Sequence, residues 1–253
     1  MPVVCHRLRL TSAIAGLVVL FVHSAAGAAG VDPNQLLAQS RAAYAALHSY
    51  SDSGSLTTTY RSPGAPAIVE HFTFATAYQP PRQFLFDFRR EPRFGVMRFV
   101  IWANGAEFNT WWSDTKVHDS YPQGQGATAF AMGSEPTKTS ALAIAPLLFA
   151  TAGLHGALTD LSDLKNSGTE QVDSHLCHKL VGKFGLAYGS GNVRGARTTT
   201  IWIDTQSALV RKIFEDTPDG TAGGFTNQIA VTIDPKANPK IDPKVFAVSV
   251  PRS

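Results

Sequence analysis

The segment HFTFATAYQPPRQFLFDF, His71 to Phe88, decides how this chain folds. Extended backbone sends successive side chains to opposite faces, so Phe72, Phe74, Thr76 and Tyr78 share one side of the first half. Phe84, Phe86 and Phe88 likewise share one side of the second half, with Gln83, Leu85 and Asp87 on the other. Two such runs joined at Pro80-Pro81 predict paired antiparallel strands with one strongly aromatic face. Each buried Phe is worth roughly 1.5–3 kcal/mol relative to exposure, so the rest of the chain must cover that face.

Outward from this pair the same period of two continues. Ser55 to Arg61, Glu70 to Tyr78, Gln83 to Arg89, Phe99 to Ala103 and Glu107 to Thr115 read as an antiparallel meander, with Asn104-Gly105 as a hairpin turn. In the second half Thr169 to Gly185, Arg197 to Asp204, LVRKIFED and Phe225 to Ile233 read as strands, the third returning from a turn at Asp204 to Ser207. The prolines of IDPKANPKIDPKVF end the sheet before an edge segment, Phe246 to Val250. A helix precedes the first strand: Asp32 is its N-cap, Pro33 suits the first turn, and Gln35 stands at the capping-box position. Leu36, Leu37, Ala43, Tyr44 and Leu47 form its buried stripe, and it ends near His48 to Tyr50.

The cover is expected from SALAIAPLLFATAG, Ser140 to Gly153, an apolar run interrupted by Pro146. Gly124 to Lys138 before it and Thr151 to Asn166 after it read as loops. A sheet with one apolar face under a loosely tethered cover can enclose a cavity instead of a filled core. The candidate lining is Phe72, Phe74, Phe84, Phe86, Phe88 and Trp102 from the sheet, and Leu142, Ile144, Leu147 and Leu148 from the cover. An ordinary packed core is the other reading of the same residues.

The first residues read as an export signal, residues 1–28. Arg7 and Arg9 precede an apolar run from Leu10 to Val22, and Ala26-Gly27-Ala28 offers a small-residue cleavage site. That run is shorter than the roughly 20 residues of a spanning helix, so a soluble periplasmic or secreted protein is expected, with residues 29–253 as a single domain. Losing Arg7 and Arg9 from the 22 basic residues leaves 20 against 19 acidic, which argues against a nucleic-acid partner. Cys5 departs with the leader, so Cys177 stands alone and no intrachain disulfide is expected.

Catalytic and metal motifs are missing. No G-x-S-x-G occurs, and GSGNVRG, Gly189 to Gly195, lacks the following helix that a phosphate loop needs. His175 and Cys177 would point one way from a strand and His178 the other, so three ligands do not converge. His71, His118 and the carboxylates Asp87, Asp114, Asp173 and Asp204 are isolated. No catalytic residue, metal or cofactor is expected.

The order of parts is similar to that of the LolA-like superfamily of periplasmic lipoprotein-sorting and lipid-binding proteins, and to a branch of it without an assigned function. The resemblance rests on LLAQSRAAYAALHSYSDSGSL, FTFATAYQPPRQFLFDF, IWANGAEF, the insert ending in APLLF, and TTTIWIDTQSALVRKIFED. Trp202, Asp204, Leu209 and Arg211 sit as in that superfamily's W-I-D…L-V-R-K hairpin. The resemblance implies an α+β fold: a strongly curved antiparallel sheet, an unclosed barrel, with helices over its concave face. It further implies a cavity for the acyl chains of a lipid or lipoprotein, and a buried arginine that latches the lid, for which Arg82, Arg89, Arg98 and Arg211 are candidates. About fourteen buried methylenes at ~0.8 kcal/mol each would supply on the order of 10 kcal/mol before ordering costs. Two other classes stay open: an envelope sensor or protein-interaction domain with a filled core, and a hydrolase.

Overall fold

Asp32 opens the first helix, accepting the Asn34 amide on its carboxylate at 3.0 Å. The helix, α1 (Pro33–Ala45), buries Leu36, Leu37, Ser40 and Tyr44 and ends at Ala45, short of the expected His48 to Tyr50, before the first strand starts at Tyr50. The computed structural model describes residues 31–251 except 92–94, 106, 123, 150–153, 185–186, 189–191, 194–196 and 217–225. The expected leader, residues 1–28, and the GSGNVRG glycines therefore lie outside the described residues.

Six strands follow α1: β1 (Tyr50–Arg61), β2 (Ile68–Gln79), β3 (Gln83–Arg90), β4 (Arg98–Asn104), β5 (Phe108–Trp112) and β6 (Val117–Tyr121). Three short helices come next, α2 (Gly126–Gly133), α3 (Ala141–Leu148) and α4 (Ala157–Asp160). The chain returns through β7 (Ser162–Val172), β8 (His175–Phe184), the short ribbon β9 (Ala187–Tyr188) and β10 (Asn192–Val193), β11 (Arg197–Asp204), β12 (Val210–Asp216) and β13 (Thr226–Ala237). A 3-10 turn, Pro243–Phe246, precedes the tail.

All but the ribbon join one antiparallel sheet in the order β6-β5-β4-β3-β2-β1-β13-β12-β11-β8-β7. β1 and β13 meet in the middle over twelve register pairs, and β6 and β7 are free edges, so the sheet curves without closing. The main core and all three short helices occupy its concave face. Gly54, in the middle of β1, permits tight curvature there: a Cβ would run into the Phe74 ring and the Thr232 carbonyl. A bulge between Trp202 and Ile203 adds local twist between β11 and β12.

Several expectations are corrected. The Thr151 to Asn166 region holds α4 and the start of β7, and the expected strand from Thr169 is, as far as Phe184, a hairpin of β7 and β8 that turns at Asp173 with φ 50°. The edge strand β7 exposes both faces along most of its length, so its sequence carries no alternation to read. Gly124 to Lys138 contains α2, which buries Ala129 and Phe130 between its terminal glycines. Glu107 to Thr115 contains β5, which ends at Trp112, and a further strand that the sequence reading did not give, β6, follows it. β13 continues through Pro235 to Ala237, beyond the expected end. Phe246 to Val250 is not a strand; Val248 and Val250 pack instead on the convex face. Among the described residues no helix is long and apolar enough to cross a membrane.

Candidate functional site

Alternation along β2 and β3 assembles the aromatic wall. Phe72 stacks on Phe88 at 5.0 Å, Phe74 meets Phe86 at 5.8 Å, and Phe86 and Phe88 are 6.2 Å apart on one strand. Further round the sheet, Leu56, Val231, Ile213, Ile201 and Leu180 continue the register row that starts at Phe72. The concave face is thus apolar across six adjacent strands.

The cover lies on this wall. Every residue of α3 is buried, and Leu142, Ile144, Leu147 and Leu148 belong to the same core as the five phenylalanines. Pro146 is accommodated inside the eight-residue helix. At one side of the cover four rings interlock: Phe84 lies 5.3 Å from Phe130 of α2 and 5.2 Å from Phe149 after α3, and Phe108 lies 5.5 and 5.4 Å from the same two. These edge-to-face contacts fix the cover against β3 and β5.

Trp102 is a correction. On β4 the residues Phe99, Ile101 and Ala103 enter the main core, so Trp102 falls on the convex face with Val100, Trp111 and the tail residues Val248 and Val250. There it stacks on His118 at 5.3 Å.

The cover has no strand pairing with the sheet, and among the described residues its polar attachments lie at its two ends. Thr137 Oγ1 donates to the Gly133 carbonyl and accepts the Ala141 amide, while Ser140 Oγ donates to Thr137. Between them Lys138 and Thr139 take φ of 53° and 70°, an uncommon conformation for a β-branched residue. At the other end, Gly156 brings α4 so close to α3 that a Cβ would meet the Leu142 carbonyl. Arg41 of α1 then holds α4, donating from Nε to Leu158 O at 2.9 Å and from Nη2 to Thr159 O at 2.8 Å. A four-residue helix leaves its carbonyls without intrahelical partners, and the guanidinium supplies them.

The four arginines singled out as latch candidates sit elsewhere. Arg89 and Arg98 both pair with Asp87, Arg211 pairs with Asp204 and Asp234, and Arg82 is exposed. Sequence reasoning missed Arg41, and its signal was modest: a cation within the helical stripe Leu37 to Tyr44, half-buried.

Beneath one end of the face lies a buried polar group. Tyr50 donates its hydroxyl to Asp52 at 2.7 Å, Asp52 also accepts the Thr76 amide at 2.9 Å, and Tyr44 Oη accepts the Val210 amide at 3.2 Å. Burial raises the Asp52 carboxyl to about 6, against the lowering effect of these donors, and raises the Tyr44 hydroxyl above its ordinary value.

The remaining sequence candidates have structural settings. His175 pairs with Asp204 at 2.9 Å, and Asp204 also accepts the Gln206 and Ser207 amides, organising the β11–β12 turn. Burial, with Asp204 nearby, pushes the Cys177 thiol up to about 11. His71 contacts Thr57 at 3.1 Å and His118 contacts Asn109 at 3.2 Å. Among the described residues no three His, Cys, Asp or Glu side chains are placed to hold a metal ion.

Between cover and sheet is a void of about 20 Å³ beside Leu142, Ala143, Phe184, Ile213 and Glu215, room for about one water. A wider depression of about 510 Å³ is open to solvent and lined by Ser53, Ser55, Thr73, Arg211 and Asp234.

No protein-family model matches the sequence, and no curated protein matches it. Solved structures do. The lipoprotein LppX of Mycobacterium tuberculosis is 16% identical with a TM-score of 0.41, the match covering 83% of this chain and 99% of that one. LprF of Mycobacterium bovis is 14% identical with a TM-score of 0.46, covering 84% and 97%. A LolA superfamily protein of Nitrosomonas europaea is 9% identical with a TM-score of 0.31, covering 85% and 97%. The chain itself is an unclosed antiparallel half-barrel with helices on its concave face.

Proposed function

We propose that this protein is an exported, non-enzymatic carrier that holds the acyl chain of a lipid or acylated lipoprotein between the aromatic face and the α2–α3 cover. The observation that carries this reading is α3 itself. All eight of its side chains are buried on an apolar wall, yet it shares no strand pairing with that wall. Lifting it breaks apolar contacts that an acyl chain can replace in kind, at ~0.8 kcal/mol per methylene, and leaves the sheet hydrogen bonds intact. The void of about 20 Å³ is too small for a chain, so uptake requires α3 to move.

The lining under this reading is Phe72, Phe74, Phe84, Phe86 and Phe88 below and Leu142, Ile144, Leu147 and Leu148 above, without Trp102. The mature chain begins near Ala29, after export by the Leu10 to Val22 segment. N-terminal sequencing of protein recovered from its own cell envelope tests this; an intact Met1 in a membrane fraction contradicts it.

Close packing under the cover favours a second reading, an envelope sensor or interaction domain with a permanently filled core. Titration with a fluorescent fatty acid and a fluorescent phospholipid separates the two. The carrier reading expects saturable binding near one chain-binding site per protein. Absence of saturable binding for either probe supports the filled core.

A further inference from the structure

One end of the concave face changes character within a single register step. The row through Phe72, Leu56, Val231, Ile213, Ile201 and Leu180 is wholly apolar. Two residues further along the same strands the row reads Glu70, Thr58, Ile229, Glu215, Thr199 and Gly182. Thr58 and Thr199 are both 0% exposed, and neither Oγ1 has a hydrogen-bond partner. A buried hydroxyl left so is disfavoured, which makes such groups rare unless something else meets them. Glu215, directly opposite Thr199, is 7% exposed and borders the void under α3.

We propose that this Glu215–Thr199 end of the face is a head-group subsite, which receives the small, uncharged, hydroxyl-bearing head of an amphiphile while its chain runs inward over Ile213, Ile201 and Leu56. The inference rests on the lipid-binding reading and adds the class of ligand. The choice of an uncharged head follows from charge pairing. Glu215 is paired with Arg197 at 3.3 Å and Glu70 with Arg90 at 3.9 Å, so the row brings equal numbers of acids and bases. An anionic head would meet two carboxylates whose cations are already engaged, and an ammonium head would have to displace Arg197. Hydroxyls avoid both conflicts, because one can donate to Glu215 and accept from Thr199, its register partner on β11. Burial raises the Glu215 carboxyl above its ordinary value, consistent with a setting that disfavours further negative charge. The void beside Glu215, about one water in size, is smaller than glycerol, so a small hydroxyl-bearing head enters there only as α3 lifts.

The test uses the mature protein and three competitors with one oleoyl chain, each displacing a bound fluorescent acyl probe: monooleoylglycerol, methyl oleate and oleic acid. Monooleoylglycerol should compete at least tenfold better than either of the others. The Thr58→Val/Thr199→Val double variant keeps side-chain shape and removes two unpartnered hydroxyls, so its melting temperature should not fall. It should reduce the advantage of monooleoylglycerol to less than threefold while leaving methyl oleate unchanged. Glu215→Gln, as a second variant, should weaken monooleoylglycerol at least threefold with methyl oleate again unchanged. Equal competition by all three, or an advantage that survives both variants, overturns the head-group subsite and leaves chain binding standing. Failure of the probe to bind at all overturns the lipid-binding reading itself.

Discussion

Arg41 reaches from α1 to the carbonyl oxygen of Leu158, 117 positions away, at 2.9 Å, and its second nitrogen takes the neighbouring Thr159 carbonyl at 2.8 Å. One guanidinium therefore joins the first helix of the fold to the last piece of the cover. Charge-assisted bonds of this kind are worth about 1.5–3 kcal/mol each when partly shielded from water, so the cover should be sensitive to this side chain.

Arg41→Met keeps the aliphatic stem and removes the donors. Amide hydrogen exchange in α3 and α4 should accelerate at least tenfold, while β1 and β13 keep their protection. Arg41→Lys should fall between, since an ammonium cannot span both carbonyls in fork geometry. Exchange in α3 and α4 indistinguishable from wild type would show that apolar packing alone holds the cover.

Asp52 makes stability depend on pH in an unusual direction. Its carboxyl titrates near 6 in the folded protein, against 3.8 as the ordinary value, because burial disfavours its charge. Between those values the folded state holds a proton that the unfolded state releases, so this group's contribution falls as pH rises through the window, by roughly 3 kcal/mol at most. Asp87, Asp160 and Asp204 are shifted downward and act in the opposite sense, but equally in wild type and Asp52→Asn. The urea-derived stability of wild type minus that of Asp52→Asn should therefore decrease between pH 4 and pH 7. A pH-independent difference would contradict the buried assignment.

Cys177 should be inert in the native state. It is fully buried among Val172, Trp202 and Phe214, and its thiol is raised to about 11, so little thiolate exists at pH 8. An aromatic disulfide reagent should label it slowly in buffer and completely in denaturant. Rapid stoichiometric labelling of the native protein would be inconsistent with this packing.

What the sequence made legible follows from how strongly each element is patterned. β2 and β3 alternate aromatic and polar residues, so their limits came within two residues of those observed and their core face was assigned correctly. β7 offers SDLKNSGTEQV, exposed along both faces, and exposure on both faces erases the period on which strand reading depends. α2 hid behind its glycines, which sequence reading assigns to loops but which here let the helix press on Phe108 and Phe99. Trp102 was misplaced because composition singles out an aromatic residue without fixing its face; only its parity with Ile101 does that. Arg41 and the polar row from Glu70 to Thr199 depend on register between distant strands, which one chain read linearly does not contain.

The carrier reading stands or falls with Leu147, 4% exposed within α3. Leu147→Asp places a carboxylate under the cover, and the decisive measurement is acyl-probe binding together with the urea midpoint of the sheet for this one variant. If α3 is a movable cover, it lifts to hydrate the charge: binding of the fluorescent fatty acid is lost, and the midpoint stays close to wild type. If α3 is a permanent part of a filled core, wild type binds no probe and the variant loses several kcal/mol from an unpaired buried charge, collapsing the midpoint.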